Sequence, residues 1–182
     1  MLIMISVEEV RMKFIKMLSF MGLVFIFSVF FSNDAMAQDK ATPGDVVKKV
    51  REAVKFLSQS GEVGLEAFNE KNGPWVFKNT YIFVFDCNEG VIVAHAIKPK
   101  FVGRNLMGLK DVRGNYIFVQ LCEVAKLPEG GWVEYWWPEV GKKEPSRKVS
   151  LMLQVPNTPY QVGAGIYDED KSVEDLKKLL KK

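Results

Sequence analysis

A single histidine, His95, stands in this 182-residue sequence, at the end of the apolar run Val91-Ile92-Val93-Ala94. An imidazole placed there could donate to a carboxylate or to a covering loop, or be satisfied within its own strand. Farther on, Gly131-Trp132-Val133-Glu134-Tyr135-Trp136-Trp137-Pro138 alternates two aromatic rows. In a strand, Val133, Tyr135 and Trp137 share one face and Trp132, Glu134 and Trp136 the other. The first row carries no carboxylate. Tyr135 and Trp137 each join a flat apolar surface to one hydrogen-bond donor, which suits a small carboxylate with a short apolar tail, although such rings also dominate ordinary cores. Lys148 opens the next strand and could supply the positive charge that a buried anion requires, or belong to the solvated run Lys142, Lys143, Arg147. Arg104 could fork a carboxylate from a covering loop or lie on the surface. Trp75, Tyr81 and Tyr116 complete the candidate wall, and Tyr167 reads as structural.

The classes this sequence excludes are clearer. It has no nucleophile elbow, no phosphate-cradling glycine loop and no His-Cys-carboxylate cluster at metal-ligand spacing, so neither an enzyme nor a cofactor is expected. Lys and Arg number 25 against 22 Asp and Glu. Residues 1–37 hold Arg11, Lys13 and Lys16 beside Glu8, Glu9 and Asp34, so their removal leaves the net charge unchanged. A balance so close to neutral, with both signs interspersed, argues against nucleic acid as a partner.

Several elements must position those side chains. Thr42-Pro43-Gly44-Asp45 is a helix start, with Thr42 as N-cap, Pro43 in the first turn and Asp45 returning a hydrogen bond. Val46, Val47, Val50, Val54 and Leu57 then recur at helical spacing until Ser60-Gly61. A second short helix is expected over Val63–Asn69. Tyr81–Phe85 and Val91–His95 flank the polar turn Asp86-Cys87-Asn88-Glu89-Gly90 and predict a hairpin with both faces covered. After the loop Pro99–Gly114 the period becomes helical over Tyr116–Leu127. Strands return at Gly131–Trp137, Lys148–Val155 and Tyr160–Tyr167, and Ser172 with Asp175 caps a final helix. The order predicts an α+β fold with an antiparallel sheet and no second domain.

The N-terminus has its own logic. Arg11, Lys13 and Lys16 precede an apolar run from Met17 to Phe31, and Ala35-Met36-Ala37 follows. That is the pattern of a signal peptide over residues 1–37, with the mature chain, 38–182, released to the periplasm. An uncleaved anchor through residues 14–31 is the alternative. No later stretch has spanning length. Of the two cysteines, Cys87 falls in a turn and Cys122 on an apolar helix face; export would permit a disulfide, but two separate thiols is the favoured reading.

In sequence order, several short words resemble the single Cache domain, the PAS-like extracytoplasmic sensor fold. They are the aromatic strand from Tyr81, the turn at Gly90, Ala94-His95, Val102-Gly103-Arg104-Asn105, Asp111 with Gly114, and Gly131 to Pro138. Lys148-Val149-Ser150 and Val162-Gly163-Ala164-Gly165-Ile166-Tyr167, with Asp168 and Asp170, complete the set. Ala96 replaces the family's usual proline, and Leu151 its frequent tyrosine after Ser150. The resemblance implies a long N-terminal helix packed on an antiparallel sheet of about five strands, with a covering loop-helix and a short C-terminal helix. It also implies a pocket for a small organic anion such as acetate, propionate or pyruvate. Most relatives continue into a transmembrane helix and a signalling module, whereas this sequence stops at Lys182, so a separate membrane sensor kinase or chemoreceptor is the expected partner. The alternative is a Cache-fold interaction or scaffold module without a ligand, its pocket shut by Trp137, Leu151 and Met152. N-terminal sequencing of the exported product is expected to begin at Gln38; a product retaining residues 14–31 would establish the anchor instead.

Overall fold

The computed structural model describes residues 39–167 and 170–181. The leader expected at residues 1–37, and Asp168 from the family resemblance, lie outside the described residues. Gln38–Lys182 forms one compact unit, and no helix among the described residues is long and apolar enough to cross a membrane.

The first helix, α1 (Pro43–Ser60), starts where the capping residues place it. Thr42 Oγ1 accepts from the Asp45 backbone N–H at 3.2 Å, and the Asp45 carboxylate accepts from the Thr42 N–H at 2.9 Å. Lys78 reaches the same carboxylate at 2.6 Å and, with the Thr42 bonds, holds its pKa down to about 2. One stripe of α1, with Val46, Val50, Ala53 and Leu57, is fully buried. At Gly61 the backbone takes φ +61°, and the segment expected as a short α-helix instead winds more tightly, as a 3-10 helix over Gly61–Asn69.

The strands are β1 (Val76–Phe77), β2 (Thr80–Tyr81), β3 (Phe83–Asp86) and β4 (Val91–His95), then helix α2 (Ile117–Ala125). β5 (Gly131–Pro138), β6 (Pro145–Gln154), β7 (Tyr160–Tyr167) and the short helix α3 (Val173–Lys177) follow. β1 and β2 pair only with each other; the other five strands form one antiparallel sheet in the order β4-β3-β7-β6-β5. The last strand therefore lies in the middle. It joins the N-terminal hairpin to the C-terminal meander, and an apolar core forms on each face. One face packs Ile82, Val84, Val149, Leu151 and Val162 against α1 and α3. The other packs Phe85, Val133 and Met152 against Phe118 and Leu121 of α2.

The segment between β4 and α2 crosses this second face and is fastened at both edges of the sheet. At the β4 edge, Gly103 N–H donates to the Ile92 carbonyl (2.8 Å) and Leu106 N–H to that of Gly90 (2.9 Å). At the β5 edge, Asp111 accepts from the Trp136 backbone N–H at 3.0 Å while also binding the Arg113 and Asn115 N–H groups at 2.9 Å. The Arg113 guanidinium stacks 3.3 Å above the Trp136 ring. Each edge of the sheet is thereby partly covered, which removes donors and acceptors that would otherwise invite another strand.

The cysteines correct the sequence reading. Cys87 and Cys122 are joined in a disulfide with Cα atoms 5.8 Å apart, because the sheet brings the β3–β4 turn beneath the buried face of α2. Nothing in the local pattern of either cysteine reports that approach. The bridge closes a separation of 35 residues, worth about 4 kcal/mol in a chain-entropy treatment of the unfolded state. Replacing both cysteines with serine is expected to lower unfolding stability by about 2–4 kcal/mol, read as a shift in urea midpoint that dithiothreitol reproduces in the parent protein and not in the variant.

Candidate ligand site

The sheet's second face holds a cavity lined by Tyr81, Phe83, His95, Tyr135, Trp137 and Lys148 from the strands, with Ile92, Phe101, Ile117 and Phe118 closing it. Its free volume is about 10 Å³, room for a single water molecule. Alternation along β5 places Tyr135 and Trp137 here, and the register Tyr135↔Lys148 brings the lysine alongside them. The same period of two adds Phe83, on β3, to Tyr81, on β2; the sequence reading passed over Phe83 although the alternation contains it.

His95 reaches the cavity by a less legible route. Val84 pairs with Ala94, but Phe85 pairs with Ile92, so Val93 is an extra residue on β4. This bulge reverses the alternation once. Ile92 and His95, three apart, thus both face the cavity, whereas Val93 packs against the α1 side. Unbroken alternation along Val91–His95 would put His95 on the Val91/Val93 face; the bulge overturns that.

Three candidates lie elsewhere. Arg104 is exposed on the covering loop. Tyr116 is 46 % exposed, under the Lys110 ammonium at 4.4 Å. Trp75 is buried on the α1 side, stacked on Phe68 at 4.8 Å. In each case the residue type suited a wall, but the chain's path took it away. Leu151 also points to the α1 side and cannot shut the cavity, while Met152 and Trp137 do pack on the cavity side.

The floor is bare where β7 passes beneath. A Cβ on Gly165 would lie 2.6 Å from Lys148 Cε, and one on Gly163 would lie 2.6 Å from Phe83 Cζ. Those two glycines let Lys148 and Phe83 lie across the central strand.

Lys148 is 1 % exposed. Its ammonium is 3.3 Å from the Tyr81 hydroxyl and sits 4.4 Å from the Tyr81 ring centroid and 5.0 Å from that of Tyr167. Among the described residues it has no carboxylate within ion-pair distance. Trp137 Nε1–H also donates to the Tyr81 oxygen, at 3.1 Å, and Tyr135 shares a 2.8 Å bond with Ser150. His95 Nδ1 accepts from the Lys98 backbone N–H at 3.0 Å, so in the neutral ring the proton sits on Nε2. Burial, and then the nearby Lys148 and Lys98 charges, hold the His95 pKa down to about 3. Burial, with a smaller contribution from Lys98, lowers Lys148 to about 7. Desolvation likewise raises the Tyr81 phenol to about 12 and pushes Tyr135 above its ordinary value. The chemistry on offer is therefore donation of hydrogen bonds, and of one positive charge, to an oxygen anion.

The Cache domain family model matches residues 75–172, more than half of the chain. The chain belongs to the Cache domain family. A curated relative, the methyl-accepting chemotaxis protein McpP of Pseudomonas putida, is 27% identical over 99 residues, covering 54% of this chain and 18% of that protein. This chain thus spans under a fifth of the relative's length. Two solved structures share the fold. One, described as the periplasmic sensor domain of a chemotaxis protein, superposes with a TM-score of 0.58 at 24% identity, over 75% of this chain and 99% of that one. The other, described as a Cache chemosensory domain in a study of carboxylic acid recognition, gives 0.55 at 23% identity, over 68% and 86%. The Cache domain is a sensory family, and the α+β architecture seen here is its fold.

The lysine of this Cache domain has a measurable thermodynamic signature. Between about 7 and the ordinary lysine value of 10.5, the unfolded chain keeps a proton that the folded chain has released, so stability rises with pH across that window and is lost as pH falls through it toward 7. Lys148→Met is expected to abolish that slope. It should also stabilise the empty domain at pH 6 by at least about 1 kcal/mol, by removing an unpaired buried charge. Chemical denaturation of both proteins from pH 6 to pH 9.5 checks this.

Proposed function

We propose that this Cache domain is an extracytoplasmic sensor that captures a short organic acid in the cavity beside Lys148 and passes its bound state to a separate membrane kinase or chemoreceptor. The observation that carries the proposal is the Lys148 ammonium, 1 % exposed and without a carboxylate partner among the described residues. Burying a charge is costly unless it is paired, and a carboxylate between Lys148, His95 Nε2 and the Tyr81 hydroxyl would supply the missing partner. The rings of Tyr135, Trp137 and Phe83 would then meet a short apolar tail. The structural neighbour described in terms of carboxylic acid recognition supports this chemistry. A disulfide between Cys87 and Cys122 fits an oxidising compartment such as the periplasm.

The cavity's free volume of about 10 Å³ favours the smallest acids and requires the wall to yield. The same tightness favours a second reading, a Cache-fold scaffold that docks other proteins and binds no small molecule. Melting curves with acetate, propionate, pyruvate and, as a control, ammonium chloride separate the two. At a concentration one hundred times Kd, an acid is expected to add about 2.7 kcal/mol, or roughly 8 °C for a domain of this size. Lys148→Met is expected to lose the shift while remaining folded. If all three acids leave the parent's melting temperature unchanged, the scaffold reading replaces the sensor.

A further inference from the structure

Eight of the ten cavity-lining residues are buried, whereas Phe101 and Trp137 are half-buried and meet at the surface with ring centroids 6.0 Å apart. The aperture of the cavity is therefore between these two rings. Lys98 lies over it, its ammonium 5.2 Å from the Trp137 ring centroid and 5.9 Å from that of Phe101. Lys98 has no carboxylate within ion-pair distance among the described residues.

The backbone of Lys98 is held at both ends. Its N–H donates to His95 Nδ1 at 3.0 Å, and its carbonyl accepts from the Phe101 N–H at 3.0 Å, closing the 3-10 turn over Pro99–Phe101. Val102 and Gly103 then fasten the chain to β4. A fixed backbone carrying a long side chain over two rings leaves the ammonium free to swing while its root stays beside His95.

We propose that Lys98 is the gate residue of this cavity: its ammonium draws an incoming carboxylate to the aperture between Phe101 and Trp137, and moves with the rings to admit it. The proposal rests on the reading of the cavity as an anion site. A cation at a narrow apolar mouth concentrates anions there and raises their association rate, an effect that salt screens. Cation–π contact with both rings holds the empty aperture closed. Partial burial and the neighbouring Lys100 lower the pKa of Lys98, which accords with an ammonium drawn partly out of solvent. The hydrogen bond from the Lys98 N–H to His95 Nδ1 ties the gate to a ring that lines the ligand space, so that occupancy and gate position are mechanically joined.

Stopped-flow tryptophan fluorescence with sodium acetate, propionate and pyruvate as probes tests this in the mature chain, in Lys98→Gln and in Phe101→Ala. At low salt Lys98→Gln is expected to slow association three- to tenfold, and the gap should close in 0.5 M sodium chloride. Phe101→Ala is expected to speed association and dissociation together, each by at least threefold. If the parent binds and Lys98→Gln associates at the same rate with the same salt dependence, or if Phe101→Ala leaves both rates unchanged, the gate is overturned and the anion site stands. If no probe binds the parent, the anion site falls and the gate with it.

Discussion

A lysine ammonium enclosed by aromatic rings, with no carboxylate beside it among the described residues, is the constraint around which the cavity face is arranged. Lys148 could have been satisfied cheaply by an aspartate on the neighbouring strand. Instead its surroundings are Tyr81, Phe83 and Tyr167, whose rings give partial cation–π compensation and a single hydroxyl contact. Such contacts recover only part of what desolvating a charge costs. The remainder is offset by the large apolar core on the opposite face, where α1 buries Val46, Val50, Ala53 and Leu57 completely. The site is thus held in an unfavourable electrostatic state by packing that does not touch it. An arriving anion would relieve that state, which is how binding energy is concentrated in one interaction.

The covering segment encloses the site. It bridges the two edge strands, so the cavity is roofed from β4 to β5, and the Cys87–Cys122 bridge ties the roof's helix down to the turn below. Under the proposed gate, opening would concern side chains at the rim more than movement of the whole roof. Asp111 shows the economy of the fastening: one carboxylate organises its own turn through Arg113 and Asn115 and caps a free N–H on the β5 edge.

The parts of this Cache domain that follow a period could be read from the residues. The capped start of α1, the two rows of β5 and the switch to helical spacing before α2 each lie within a few turns of chain, and the structure places them there. The wall positions Tyr135, Trp137 and Tyr81 came from the same source. What was not legible depended on events at long range or on a single irregularity. Val91-Ile92-Val93-Ala94-His95 gives no sign of a bulge, because every residue before His95 is apolar and either face would accept it. The cysteine pair is invisible for the same reason, since closeness across 35 residues is a property of the sheet. Arg104 and Tyr116 were drawn by chemistry to a cavity that the loop's anchoring takes them away from. Lys98 and Phe101 sit in an aperiodic stretch, and only their place over Trp137 gives them meaning.

The glycines of β7 carry a consequence for how such a domain could lose its site. The strand segment Val162-Gly163-Ala164-Gly165 contributes nothing to the cavity except the absence of side chains, yet a single methyl at position 165 would collide with the stem of Lys148. One codon change there could displace the charge, and with it the Ser150 hydroxyl that holds Tyr135, without changing the identity of any residue of the wall. A sensor and an inert building block of identical architecture would then differ by one carbon atom on the floor strand. Comparing chains of this kind by their aromatic walls would miss the difference.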